Sequence, residues 1–181
     1  SQNLEAIISE MQRLVSLVNK IMEFEKFDAQ HLEVLKISHS PYDIISQVSQ
    51  TQEIYLAEKK QKIALSWSKN IEILLDKDLF VQLCYNLIGN FLKYAWIQTT
   101  LFITLGSKKI EFRDNGNGIS RKEIPFLTEK FYQGKIEKSW NISERGIGVG
   151  LSIVKKIVDA HGWKSKITSD TGKWFCFTIY F

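Results

Sequence analysis

The sequence predicts an α+β fold: a two-layer sandwich of a mixed β-sheet with helices on one face, preceded by a long N-terminal helix. Three observations predict it. Apolar residues fall at Leu4, Ile8, Met11, Val15, Val18 and Met22 in alternating steps of four and three, the spacing of a helical seam. The stretches 76–94 and 151–161 read as helices, the first opened by Asp76 as a cap and the second closed by Gly162. Short strand-like runs at 101–105, 109–113, 164–169 and 174–180 come as two adjacent pairs, the pattern of hairpins in a sheet.

Taken in order, the first element is a helix over 4–26. Ile7, Leu14 and Ile21 widen its seam on one side. A helix this apolar needs partners, which a four-helix bundle supplies; folding back onto its own domain is the plainer alternative. Residues 27–38 read as a connector with a short strand, Glu33-Val34-Leu35-Lys36-Ile37. Ser40 at the N-cap, Pro41 in the first turn and Asp43 at the third helical position start a helix running to about Lys60. Ile63, Leu65 and Trp67 alternate as a strand, and the helix capped by Asp76 reaches Tyr94. After the 101–113 pair, residues 119–150 are irregular and rich in charge. The helix over 151–161 buries Ile153, Val154, Ile157 and Val158 along one face, and two strands finish the chain.

With 181 residues, 44% hydrophobic and 24% charged, the chain is globular, without a disordered tract or repeat. The net charge of +4 is too mild to argue for a nucleic-acid partner. Cys84 and Cys176 sit in apolar runs and read as reduced core residues of a cytoplasmic protein; His31, His39 and His161 lack metal-ligand spacing. No apolar run approaches the roughly 18–20 residues of a membrane span. The helical pattern begins at the first residues, as expected of a piece of something longer.

Chemistry concentrates in four stretches. R-D-N-G-N-G-I-S, residues 113–120, places one carboxylate beside two glycines where a strand ends; a plain turn explains that equally well. Asn86 and Asn90 are four apart on one face of an otherwise apolar helix, with Lys93 beside them. They are either amides bonded to backbone or the polar floor of a nucleotide pocket, where an amide oxygen suits Mg²⁺. Gly146, Gly148 and Gly150 immediately precede a helix, where free N–H groups and the dipole favour phosphate. Between the glycine stretches lies E-K-F-Y-Q-G, residues 129–134.

In this order and spacing the four stretches resemble the ATP-binding domain of bacterial sensor histidine kinases, from Asp76 through Gly172. Residues 1–28 resemble the second helix of those kinases' dimerisation and phosphotransfer bundle, leaving 29–181 as the catalytic domain. The resemblance implies that Asp114 accepts a hydrogen bond from the adenine amino group while Gly116 and Gly118 make room for the base. It implies that Asn86, Asn90 and Lys93 form the catalytic set, Asn90 binding Mg²⁺ and Lys93 the phosphates. Tyr94 packs near the base, Gly146, Gly148 and Gly150 lie beside the triphosphate, and Ile119, Lys130 and Leu151 complete the ATP contacts. The segment from about Gln133 to Arg145 becomes a lid. The implied partners are the protein's own dimerisation helices, in a homodimer, and the receiver domain of a response regulator, with membrane contact only through the parent protein.

Some positions depart from the family's pattern. Gly89 stands where an acid or amide is frequent, Leu127 replaces a common Phe, and Trp174-Phe175 occupies the place of a small Gly-Thr pair. No histidine lies in a phosphoacceptor motif, so the acceptor helix is expected elsewhere, and His161 reads as structural. Two other activities resemble this one in the pocket: the superfamily's ATPases and an anti-sigma-type serine kinase. Those hydrolases carry a Glu one turn before the first asparagine, where this chain has Gln82. An amide cannot take a proton from water or serine, which favours the histidine kinase.

Overall fold

The computed structural model describes ten positions between Leu4 and Met22, and residues 33–67, 71–134 and 148–181. The N-terminal positions are helical, and Leu4, Ile8, Met11, Val15, Val18 and Met22 are 47–63% exposed. The expected seam is therefore a continuous apolar stripe open to solvent.

The rest is built from seven strands, four α-helices and one 3-10 turn (Ile124–Phe126) among the described residues. Strands β1 (Ile37–His39), β2 (Lys62–Trp67), β3 (Ile73–Leu75), β4 (Thr100–Leu105), β5 (Lys109–Asp114), β6 (Lys164–Asp170) and β7 (Trp174–Tyr180) are joined by helices α1 (Pro41–Thr51), α2 (Glu53–Glu58), α3 (Lys77–Tyr94) and α4 (Gly150–Ala160). Five strands form the main sheet in the order β2-β4-β5-β7-β6. The β2–β4 pair is parallel and the others are antiparallel, so the sheet is mixed as predicted. The small β1 and β3 pair antiparallel beside it.

Period-two patterning decides which face is covered. On β4, Leu101, Ile103 and Leu105 are buried while Phe102 and Thr104 are exposed; on β5, Ile110, Phe112 and Asp114 are buried. Ile110 opposes Ile179 and Phe112 opposes Phe177. These residues form one core with Phe80, Leu83, Leu87 and Ile88 of α3, Ile153 and Ile157 of α4, and Ile45 and Val48 of α1. Burying a single Phe such as Phe80, which is fully inaccessible, contributes about 1.5–3 kcal/mol.

Both predicted caps form. The Ser40 hydroxyl accepts from the Asp43 N–H at 3.3 Å, and Asp76 Oδ1 accepts from the N–H groups of Asp78 and Leu79, each at 3.1 Å. Three expectations need correction. The helix from Pro41 ends at Thr51 rather than near Lys60, because the hydroxyls of Ser49 and Thr51 donate to the carbonyls of Ile45 and Val48 at 2.7 Å each and compete with the helical ladder. The separate α2 then turns Leu56 into the core. The first strand lies at Ile37–His39 instead of 33–37: Asp76 Oδ2 holds the Leu35 N–H at 3.1 Å, and Lys36 Nζ donates to the His161 carbonyl at 2.7 Å. Its partner β3 has no counterpart among the expected strands, since Ile73-Leu74-Leu75 is three residues long and does not alternate.

His161 is structural, as read. It is 2% exposed, its ring stacks on Trp163, and its Nε2 accepts from the Asp76 N–H at 3.0 Å. Nε2 therefore carries no proton, and Nδ1 donates to the Ile157 carbonyl at 2.8 Å. The ring ties the end of α4 to the start of α3. Burial is the chief cause that holds its pKa below the ordinary 6.5. A depressed histidine stabilises the fold fully above the unfolded value and loses that contribution as pH falls below it. The melting temperature is expected to drop as pH falls below 6.5. His161→Phe keeps the stack but orphans the Asp76 N–H, costing about 1–3 kcal/mol. Its melting curve is expected to lose that part of the pH dependence, which differential scanning calorimetry reads directly.

Candidate functional site

The site runs along α3. Its amphipathic sequence buries Leu83, Leu87, Ile88 and Phe91 and leaves Asn86 and Asn90 half-buried on another side. Asn86 Nδ2 donates to the Gln82 carbonyl one turn back at 2.9 Å. This is the backbone-bonded amide that the plainer reading expected, and it leaves Asn86 Oδ1 facing Gly150. A Cβ added at Gly150 would stand 3.2 Å from Asn86 Oδ1 and 3.4 Å from Asn90 Oδ1. The second glycine stretch therefore lies against the asparagine face, at the first residue of α4. Val149, at the N-cap, makes no side-chain cap hydrogen bond to that helix. Leu151 follows in the first turn, half-buried.

Gly148 has φ +80, and a Cβ there would lie 2.6 Å from the Tyr132 carbonyl oxygen. Only glycine fits both the backbone angle and the contact, so the stretch 129–134 packs directly on the turn leading into α4. Phe126 stacks on Tyr132 with ring centroids 5.7 Å apart. Lys130 is exposed in that stretch, and Phe131 beside it has φ +61.

At the other end of α3, Lys93 and Tyr94 sit half-buried on its last turn. Ala95 then meets the first glycine loop: a Cβ on Gly116 would come within 3.2 Å of the Ala95 Cβ. Asp114 is the last inward-facing residue of β5, 7% exposed. Its Oδ1 accepts from the Gly116 N–H at 2.8 Å, and the Phe175 N–H also donates to the carboxylate. Burial pushes its pKa above the ordinary carboxyl value, while the two N–H groups pull it down. The loop is then fixed piece by piece. Asn115 Oδ1 accepts from the Thr100 N–H at 2.7 Å, and the Gly172 N–H donates to the Asn117 carbonyl at 2.6 Å. The Ile119 N–H donates to Ser169 Oγ at 2.7 Å.

Asp114, Gly116, Gly118 and Ile119 thus form one loop at the end of α3, and Asn86, Asn90, Gly148 and Gly150 meet along its side. Gly146 and the lid segment from Gln133 to Arg145, beyond Gly134, lie outside the described residues. Sequence reasoning missed Ala95, Ser169 and the Phe175 N–H. Ser169 carried a usable signal, a polar residue on the inward-facing side of a strand with Ile167.

An α+β sandwich with an asparagine face, a buried carboxylate at a strand end and a glycine turn opening a helix defines a nucleotide-binding class. The chain belongs to the histidine kinase-, DNA gyrase B- and HSP90-like ATPases, whose family model matches residues 75–181. Within that family it is the ATP-binding catalytic domain of a sensor histidine kinase. It is 30% identical over 185 residues to the signal transduction histidine-protein kinase ArlS of Staphylococcus aureus (strain USA300), covering 99% of this chain and 40% of that protein. The chain thus spans two fifths of the length of that relative. The fold matches full-length ShkA, solved in complex with AMPPNP, with a TM-score of 0.79 at 23% identity over 98% of this chain and 38% of that one. It also matches histidine kinase ThkA, solved in complex with the response regulator protein TrrA, with a TM-score of 0.71 at 19% identity over 99% and 51% of the two chains. No helix among the described residues is long and apolar enough to cross a membrane.

Proposed function

We propose that this domain binds Mg-ATP and transfers the γ-phosphate to a histidine on a dimerisation helix outside this chain. One observation carries the reading: the start of α4 lies on the oxygen atoms of Asn86 and Asn90, while Asp114 stands at the far end of the same helix α3. Asn90 and Asn86 precede Ala95 by five and nine residues, about 7 and 13 Å along the axis. That separates a base end from a phosphate end by an extended nucleotide's length. At the base end the carboxylate of Asp114 accepts a hydrogen bond from the adenine amino group. At the phosphate end the N–H groups in the first turn of α4 receive anionic oxygens, and Lys93, three residues after Asn90 on the last turn of α3, would reach back along the helix to add a cation.

The amide oxygens suit Mg²⁺, a hard cation that Asn90 would hold and that would offset the charge of the phosphates. Gln82 offers no proton acceptor for water or serine. A neutral imidazole needs none, since its ring nitrogen presents a lone pair: the N–P bond forms as the bond from Pγ to the ADP oxygen breaks, and positioning supplies most of the acceleration. In the whole protein, residues 1–28 would be the second bundle helix, its exposed stripe covered in a homodimer in the cytoplasm. The phosphoryl group would pass on to an aspartate of a response regulator.

The test is incubation with γ-labelled ATP. The chain alone is expected to stay unlabelled, because a nucleophile must be held about 3–3.5 Å from the phosphorus. Adding a bundle that carries the acceptor histidine is expected to give acid-labile label. Acid-stable label on the chain alone would instead mark a serine kinase, and rapid phosphate release without an acceptor would mark an ATPase.

A further inference from the structure

We infer that Ser169 is a positioning residue for adenine recognition: its hydroxyl fastens the loop after Asp114 to the β6–β7 hairpin. The inference rests on the nucleotide reading above. Ser169 is 6% exposed. Its Oγ accepts from the Ile119 N–H at 2.7 Å and donates to the Trp174 carbonyl at 2.7 Å. One hydroxyl thus uses both its lone pair and its proton to join β6, the start of β7 and the exit of the glycine loop. Alanine would leave an N–H and a carbonyl without that partner where water has little access.

The neighbouring contacts show that the hairpin is the seat of the whole loop. A Cβ at Gly118 would lie 2.2 Å from the Asp170 carbonyl oxygen, so the loop rests on the strand without a side chain between them. The Gly172 N–H holds the Asn117 carbonyl at 2.6 Å. Phe175 pairs with Asp114 across the β5–β7 ladder. Ser169 secures the opposite end of the segment, at Ile119. These contacts use the backbone of Trp174 and Phe175. Bulky residues there, in place of a small Gly-Thr pair, therefore leave the seat intact.

The sheet ladder opposite Ser169, its register with Phe175, is backbone and survives loss of the hydroxyl. The loop does not have that support. Losing the hydroxyl should let Gly116 to Ile119 move relative to a bound base, while the phosphate end at Asn90 and Gly150, on other elements, stays in place.

Isothermal titration of the chain with Mg-ATP, Mg-GTP and Mg-tripolyphosphate tests this. Ser169→Ala is expected to weaken ATP binding about five- to tenfold, to leave tripolyphosphate binding unchanged and to narrow the ATP-over-GTP preference by the same factor. Ser169→Thr, which keeps the hydroxyl, is expected to retain the wild-type preference. If the alanine variant does not melt cooperatively, Ser169→Cys is titrated in its place with the same expectation. Equal losses for ATP and tripolyphosphate, an undiminished ATP affinity, or a threonine variant as weak as alanine would each overturn the role of Ser169. A wild-type chain that binds no ATP would overturn the nucleotide reading and this inference with it.

Discussion

Gly118→Ala is expected to destabilise the domain by about 3–4 kcal/mol, lowering its melting temperature by roughly 10 °C and removing ATP binding with it. Two costs combine. Gly118 has φ +58, a left-handed angle that L side chains avoid at about 1–2 kcal/mol. The new Cβ would also stand 2.2 Å from the Asp170 carbonyl oxygen and 2.8 Å from that of Trp174. Both are backbone atoms in a paired hairpin, so relief requires the loop to lift away from the sheet. Gly162→Ala is the control. Gly162 has φ +71 but open space around its Cβ position, so it is expected to show the angular cost alone. Thermal melts of the two variants separate angle from contact. Equal shifts would mean that the loop does not rest on the hairpin.

Asp114→Asn is expected to weaken ATP binding by about 2 kcal/mol, roughly thirtyfold, because a charge-assisted hydrogen bond to the base is lost. The free protein is expected to melt no lower than wild type. Burial raises the Asp114 pKa in the fold above the ordinary 3.8. A carboxyl with a raised folded pKa favours folding at pH values below its unfolded value, and that contribution is lost as pH rises through the folded one. At neutral pH the buried anion is therefore a burden on the free protein. Asparagine removes the charge and keeps an oxygen for the Gly116 N–H. Melts without nucleotide, with Mg-ATP and with Mg-GTP read both effects. Wild type should be stabilised by ATP more than by GTP, and the variant should lose that difference. A variant whose ATP shift is undiminished would remove Asp114 from the adenine site.

Most of the fold was legible because its signals are local. Ser40 and Asp76 cap where caps were read, the 101–113 pair alternates cleanly, and Gly162 ends α4 with a positive φ. The errors fall where tertiary contacts overrule local pattern. Hydroxyls of Ser49 and Thr51 interrupt a helix whose periodicity continues, and β3 exists because β1 lies beside it. The site followed the same division. Asn86, Asn90, Asp114 and the glycines were visible as residue types at fixed spacing. Ala95, Ser169 and the Phe175 N–H were not, because each acts through a neighbour distant in sequence or through its backbone.

The strand order carries a consequence for how the domain assembles. Hairpins β4–β5 and β6–β7 close over short loops, but β5 meets β7 only across the segment that holds α4, and β2 joins β4 across β3 and α3. Such non-local pairings are slow, since chain entropy is lost before the contacts form. The loop that carries Asp114 and Gly118 leaves β5 and is seated on β6–β7, so it cannot take shape until that late pairing is in register. Nucleotide binding in a refolding chain would thus appear with the last step of folding, and ATP would act as a trap for fully assembled molecules.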